Sequence, residues 1–241
     1  MNSSLFMESK SNLMKKEKIV IALSGSFISP DNANSDFIKK FKSFISGLSD
    51  KYQFFIVVGG GQTAREYINL LREVKDSVTE DELDLLGIEV TKTNAKLLQI
   101  LINGNSFEKI ITDPENIPNT DASIVLGAGW KPGASTDHVA LVMAHTLNVK
   151  RVINLSNIDY IYNEDPKKNP DAMPMTEMSW SEYLKLLPSQ YSAGSNYPFD
   201  LIASQKAQKF GIEVVTIHGE NLESLGNYLE GREFEGTKIK N

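Results

Sequence analysis

The sequence predicts an α/β protein built as a three-layer α/β/α sandwich with a mainly parallel central sheet. Three observations carry the prediction. Short apolar runs of strand length alternate along the 241 residues with stretches whose apolar residues recur at helical spacing. Strands that alternate with helices in this way form a parallel sheet covered on both faces. Glycine-rich turns follow three of the apolar runs, at Ser24-Gly25-Ser26, Gly59-Gly60-Gly61 and Gly127-Ala128-Gly129. In α/β proteins such strand-to-helix turns are where phosphorylated ligands sit.

The elements follow in order. Ile19–Leu23 reads as a buried strand, and Ser35–Leu48 as a helix with Phe37, Ile38, Phe41, Phe44, Ile45 and Leu48 at helical spacing. Phe54–Val58 is the next strand, and Ala64, Tyr67, Ile68 and Leu71 mark a helix after Gly61. A long helix spans Glu80 to Ile102, its apolar stripe being Leu83, Leu86, Val90, Leu97, Leu98 and Leu101. Lys109–Thr112 and Ser123–Leu126 read as short strands, Asp137–Leu147 as a helix and Arg151–Leu155 as a strand. Ile158–Tyr162 reads as a strand or hairpin arm before a loop-rich stretch punctuated by Pro166, Pro170 and Pro174. Ser179 and Glu182 form a capping-box pattern for a short helix to Leu187. After a loop from Gly194 to Phe199 come a helix over Asp200–Phe210, a core strand Ile212–Ile217 and a helix Leu222–Leu229. Gly236–Ile239 is expected as an edge strand.

Composition narrows the function. The chain has 41% hydrophobic and 23% charged residues, as an ordinary globular protein does. It has no cysteine, which excludes disulfides, thiolate catalysis and thiolate metal sites. A net charge of −6 argues against non-specific nucleic-acid binding. No run approaches the roughly 18 apolar residues of a membrane span, and a cytoplasmic location is expected. Residues 1–16 read as a flexible polar extension and 17–241 as one domain, whose halves meet near Asn148–Lys150 (17–148 and 149–241).

The chemistry concentrates in the loops. In Gly127-Ala128-Gly129-Trp130-Lys131-Pro132-Gly133-Ala134-Ser135-Thr136-Asp137, a flexible loop, a lysine, two hydroxyls and a carboxylate stand at a helix start, whose unpaired N–H groups favour anions. Gly59-Gly60-Gly61 fits a phosphate approaching the backbone, or a tight turn; it is neither a Walker A loop nor a dinucleotide fingerprint. Arg65, one turn later, either returns to the same anion or is a solvated helix charge. Asp84 is a sugar-hydroxyl acceptor or a surface carboxylate. The stretch from Asn154 to Pro166, with Ser156, Asn157, Tyr160 and Tyr162, offers either purine contacts or hairpin turn chemistry. Trp130 packs on a ligand base or on a neighbouring subunit. His138, His145 and His218 have no metal-binding spacing.

Taken together, these blocks resemble the amino-acid kinase superfamily, and most closely the archaeal-type uridylate kinases. The resemblance rests on Ser24-Gly25-Ser26, Gly59-Gly60-Gly61 with Ala64-Arg65, Gly87-Ile88 to Asn94-Ala95, Pro132-Gly133 with Ser135-Thr136-Asp137, Asn157-Ile158-Asp159 with Tyr162 and Asp165-Pro166-Lys167-Lys168, Ala193-Gly194-Ser195 with Asp200, and Glu235-Gly236-Thr237. It implies a single amino-acid kinase fold around a mixed sheet of roughly eight strands and direct transfer of the ATP γ-phosphoryl group to UMP. It also implies a homo-oligomer, with a hexamer favoured. By the same resemblance Gly25, Ser26, Gly61 and Arg65 face the ATP phosphates, and Ser156, Asn157, Tyr162 and Asp165 hold the adenosine. UMP falls to Gly60, Asp84, Asn94 and the loop Trp130, Lys131, Pro132, Gly133, Ala134, Ser135 and Thr136. Mg2+ is expected to be held mainly by phosphates, without a protein metal site.

The departures from the family pattern concern cations. Ala22 stands where many relatives carry a lysine, Ser192 replaces another, and Tyr160 replaces a glycine after Asp159. Lys131 is the first candidate to supply the missing charge and Arg65 the second; with Asp200 they make up the catalytic set. Two alternatives remain at this stage: a kinase of the same fold with another phosphate or carboxylate acceptor, and a nucleotide-binding assembly or storage protein with little turnover.

Overall fold

The computed structural model describes residues 16–29, 35–104, 106–166, 168–188 and 197–241. Residues 1–15 of the expected extension, Lys167, Ser192 and the Ala193-Gly194-Ser195 turn lie outside the described residues.

Seven strands form the main sheet: β1 (Glu17–Leu23), β2 (Tyr52–Val58), β3 (Ile124–Gly127), β4 (Arg151–Ser156), β7 (Glu177–Ser179), β8 (Glu213–His218) and β9 (Thr237–Lys240), in the order β3-β2-β1-β4-β8-β9-β7. β5 (Ile161–Tyr162) and β6 (Pro174–Met175) pair separately as an antiparallel hairpin. The main sheet is parallel throughout except between β8 and β9. This is the mainly parallel sheet that the alternation of elements predicts, with seven strands in place of roughly eight.

The strands β1, β2 and β3 are buried on both sides over most of their length because both faces are covered. Ile19, Ile21 and Leu23 of β1 turn to a core shared with α1 (Ser35–Gly47), α3 (Glu80–Ile102) and α7 (Leu222–Leu229). Val20 and Ala22 turn to the opposite core, under α4 (Thr136–Thr146), α5 (Trp180–Leu186) and α6 (Leu201–Phe210). α2 (Gly61–Val74) packs on α3 through Ile68 and Leu83. The Ser179–Glu182 capping box closes as expected and starts α5, and a second box, Thr79 with Glu82, starts α3.

Three expectations are corrected. Lys109–Thr112 is not a strand; it meets β3 only through the single bridge Ile111↔Gly127, and the Asp113 side chain then accepts from Glu115 N to turn the chain at Pro114. β9 is interior, between β8 and β7, not an edge. The α3 stripe is met at Leu83, Val90 and Leu98 but not throughout: Leu97 is exposed, and Ile88, Thr91, Asn94 and Ala95 also face inward.

Candidate active site

The two glycine turns that follow β1 and β2 interlock. A Cβ on Gly25 would stand 2.2 Å from Gly61 N and 2.4 Å from the Gly59 carbonyl oxygen. On Gly61, whose φ is +67°, it would stand 2.6 Å from the Gly25 carbonyl carbon. Two backbones this close tolerate only glycine, and Gly61 additionally needs the left-handed conformation. Gly59 N donates to Leu23 O at 2.9 Å, which aligns the two strand ends. The consequence is a single loop platform at the carboxyl edge of the sheet.

α3 holds that platform from one side. The buried Asn94 amide donates to Gly59 O (2.9 Å) and Gly60 O (3.2 Å). One turn earlier, Thr91 Oγ1 accepts from Gly129 N at 2.8 Å while donating to Ile88 O at 2.7 Å. Asp84, two turns earlier still, accepts from Gly133 N at 2.6 Å. Three polar side chains on one helix face therefore grip the Gly59–Gly61 turn and the Gly129–Gly133 loop together.

On the other side α4 begins at the cleft. Ser135 is its N-cap, accepting from His138 N at 3.1 Å, and its hydroxyl donates to Asp200 Oδ2. Asp200 is in turn the N-cap of α6: Oδ1 accepts from Ile202 N (2.8 Å) and Ala203 N (3.0 Å). Its own N–H donates to Asp137 Oδ2 at 3.2 Å. Asp137 is the carboxyl that reaches the cleft, whereas the carboxylate of Asp200 is occupied by capping and by Ser135. Burial, and then the adjacent Asp200 carboxylate, push Asp137 well above the usual carboxylate range, against the opposing hydrogen bond from Asp200 N. His138, its neighbour, is pushed down by burial and by Lys206, whose Nζ lies 2.7 Å from Nε2. Among the described residues no group of three or more His, Asp or Glu side chains is placed to hold a metal.

These turns and helix starts enclose a cavity of ≈ 210 Å³ at the carboxyl ends of β1, β2 and β4. The model of the amino acid kinase family matches residues 17–218. The chain belongs to the amino acid kinase family. Among its relatives, the uridylate kinase of Methanobrevibacter smithii is 32% identical over 228 residues, 92% of this chain and 98% of that one. That of Methanospirillum hungatei is 35% identical over 226 residues, 92% of this chain and 94% of the relative. The solved structure of uridylate kinase from Archaeoglobus fulgidus superposes with a TM-score of 0.76 at 29% identity, covering 92% of this chain and all (100%) of that one. Aspartate kinase from Synechocystis, at 17% identity and a TM-score of 0.69 over 92% of this chain and 39% of that one, shares the fold.

Within this member of the family, the cleft brings together Gly25, Gly60, Gly61, Arg65, Asp84, Ala134, Ser135, Thr136, Ser156 and Asn157 of the expected site residues. The others stand elsewhere. Ser26 bonds Ser24 Oγ at 2.8 Å, and Asn94 lies beneath the glycine turn as its brace. Lys131 Nζ sits 3.5 Å from the centroid of the Trp130 ring on the outside of the loop, and neither residue lines the cavity. Pro132, Gly133 and Asp200 are not among the lining residues, and Tyr162 and Asp165 belong to the separate hairpin region. Arg65 is the only basic side chain among the described residues of the lining. Asp137 and Asn154 also line the cleft; the sequence placed them in stretches it singled out, the Gly127–Asp137 loop and the Asn154–Pro166 block, without giving either a role in the site. An acidic residue is favoured in the first turn of any helix, so position alone did not single out Asp137 within its loop. Asn154, inside an apolar strand run, carried a signal: a polar side chain is seldom placed in a two-sided core without a task.

Proposed function

We propose that this protein transfers the γ-phosphoryl group of ATP to UMP, forming ADP and UDP. One observation carries the reading. The glycine platform and the Ser135–Asp137 helix start converge on one cleft, in a chain 32% identical over 92% of its length to a uridylate kinase. In this proposal the half containing β1–β3 (17–148) receives UMP and the half containing β4–β9 (149–241) receives ATP. Gly25, Gly61 and Arg65 face the ATP phosphates, with Ser26 supporting them; Ser156, Asn157, Tyr162 and Asp165 take the adenosine side. Gly60, Asp84 and the loop from Trp130 to Thr136 take UMP, with Asn94 holding Gly60 in place.

The transfer is direct: a UMP phosphate oxygen attacks the γ-phosphorus in line and ADP leaves, with no covalent enzyme intermediate. Catalysis is then alignment plus charge neutralisation. Arg65 supplies positive charge from within the cleft, and Lys131 joins it by leaving Trp130. Asp137 stands at the junction of the two halves and Asp200 orients it. Bound Mg2+ would neutralise the transferring phosphoryl group. The cleft would suit a cation carried chiefly by phosphates, with Asp137 as the near carboxyl. No helix among the described residues is long and apolar enough to cross a membrane. The proposal places the enzyme in the cytoplasm as a homo-oligomer, with a hexamer favoured. The exposed stripe Tyr67, Leu70 and Val74 on α2 supports association.

ADP formation from Mg-ATP, measured with UMP, CMP, dUMP, AMP, GMP and no acceptor, tests the function. UMP-dependent turnover well above the rest is expected. Having a single cation in the lining favours one other reading, a nucleotide-binding protein with little turnover. ATP binding without ADP formation for any acceptor would establish that alternative.

A further inference from the structure

Residues 197–200 run from the cleft to the start of α6, outside any helix or strand, yet side chains of other elements hold them tightly. Asn154 of β4 donates to the Pro198 carbonyl. Tyr183 of α5 holds both backbone groups of the next residue: its hydroxyl accepts from Phe199 N, on the same peptide as the Pro198 carbonyl, and donates to Phe199 O, on the peptide that carries the Asp200 N–H, each at 2.8 Å. A phenol has one proton to give, and here both its donor and its acceptor capacity go to one residue. Tyr183 and Phe199 are fully buried, and burial pushes the phenol well above its usual range, so it stays a donor. The residue after Phe199 is Asp200, whose N–H reaches Asp137 in the cleft.

We propose that Tyr183 is a positioning residue for phosphoryl transfer: by fixing the Phe199 peptide, it sets where the Asp200 N–H and carboxylate stand against Asp137. The proposal rests on the kinase reading above, in which Asp137 meets the reacting groups. The hydrogen-bond chain runs from the Tyr183 hydroxyl to Phe199 O, across that same peptide to the Asp200 N–H, and on to Asp137 Oδ2. Loss of the hydroxyl leaves two buried peptide groups without their partner, and the loop end shifts to recover one. The Asp200 N–H then leaves Asp137, and the carboxyl loses the one interaction that favours its ionised form. The charged and titratable groups around Asp137 are Asp200 and Lys206 on α6, His138 on α4, Tyr183 on α5, and Arg65 and Asp84 on α2 and α3. The strands beneath present Ala22, Val57 and Asn154, which carry no charge.

The experiment compares wild type with Tyr183→Phe, Trp180→Phe and Asp200→Asn in steady-state kinetics. Alongside, the Asp137 carboxyl is titrated by 13C NMR in free protein labelled at aspartate, with Asp137→Asn for assignment. Trp180→Phe is the control for general loosening, since it removes another buried bond of the same helix, Nε1 to Ile212 O at 3.1 Å. The expected result for Tyr183→Phe is a fall in kcat of about tenfold or more, with KM for both nucleotides nearly unchanged. The Asp137 midpoint moves to higher pH in this variant and not in Trp180→Phe. An unmoved midpoint, or kcat and KM changes that match those of Trp180→Phe, overturns the proposal. Asp200→Asn separates the two levels: wild-type turnover there removes Asp200 from the reading itself, whereas lost turnover beside an unaffected Tyr183→Phe removes Tyr183 alone.

Discussion

At the scale of single residues, the cleft is built from groups that are costly to the fold. Asp137 is the clearest. Its carboxyl is raised far above the ordinary range by burial, and by Asp200 after that. A carboxyl whose folded pKa is raised contributes stability that is fully present below its unfolded value and is lost as pH rises through the folded value. Wild-type Tm should therefore fall, relative to Asp137→Asn, as pH rises from about 4 toward neutrality. At pH 7 the variant should be the more stable by on the order of 1 kcal/mol, roughly 2–4 °C, while its turnover collapses. Melting curves between these pH values check the sign, and a variant less stable at pH 7 would refute it. Gly25 makes the converse case. It tolerates no side chain, because three backbone atoms of the facing turn stand within 2.5 Å of where Cβ would be. Gly25→Ala should cost about 3 kcal/mol or more and be seen in chemical denaturation as a lowered midpoint. From sequence, the Ser24-Gly25-Ser26 turn reads as a simple turn or a phosphate contact. The reason the structure displays is a third, backbone-on-backbone packing between two loops 34 residues apart, the separation of Gly25 from Gly59.

At the scale of elements, boundaries were legible wherever a local rule set them. α3 starts at its Thr79–Glu82 box, α5 at Ser179–Glu182 and α6 at its Asp200 cap, and each rule acts within four residues. The inward face of α3 was legible at Leu83, Val90 and Leu98 but not at Thr91 and Asn94, which break the apolar pattern that locates a buried face. They are buried because they serve the loops, and loops distant in sequence leave no trace in helical periodicity. Thr91→Val tests that service. It keeps the shape of the side chain and leaves Gly129 N without its partner in a buried site. The expected cost is about 1–2 kcal/mol in stability, with KM for UMP raised several-fold and KM for ATP unchanged. Equal effects on both nucleotides would detach α3 from the acceptor side.

At the scale of the whole molecule, the order of strands explains how one sheet serves two nucleotides. β1 and β4 pair at its centre, so the chain halves meet along a continuous ladder at Ala22↔Asn154 and Leu23↔Leu155, where the cleft opens. The alternation of elements could reveal a parallel sheet; it could not reveal that the last strand inserts between β8 and β7, since nothing local distinguishes an edge from an interior strand of four residues. That insertion has a functional consequence. Thr237, fully buried in β9, accepts from Ile161 N at 2.8 Å and donates to Met175 O at 2.5 Å, so one hydroxyl binds both members of the pair Ile161↔Met175 in the β5–β6 hairpin. Gly236 makes the approach possible, its absent Cβ leaving room for Thr216 O at 2.3 Å. Tyr162 and Asp165 are carried by that hairpin and its loop, the side assigned to adenosine. Thr237→Val should therefore release the hairpin from the sheet without touching the acceptor loop. KM for ATP should rise about tenfold, as loss of about 1.4 kcal/mol of binding implies, and KM for UMP at saturating ATP should stay the same, whereas Thr237→Ser, which keeps the hydroxyl, should leave both at the wild-type value. Equal rises in the two KM values, or a rise for UMP alone, would mean that β9 steadies the whole sheet and that the hairpin has no separate part in holding the donor.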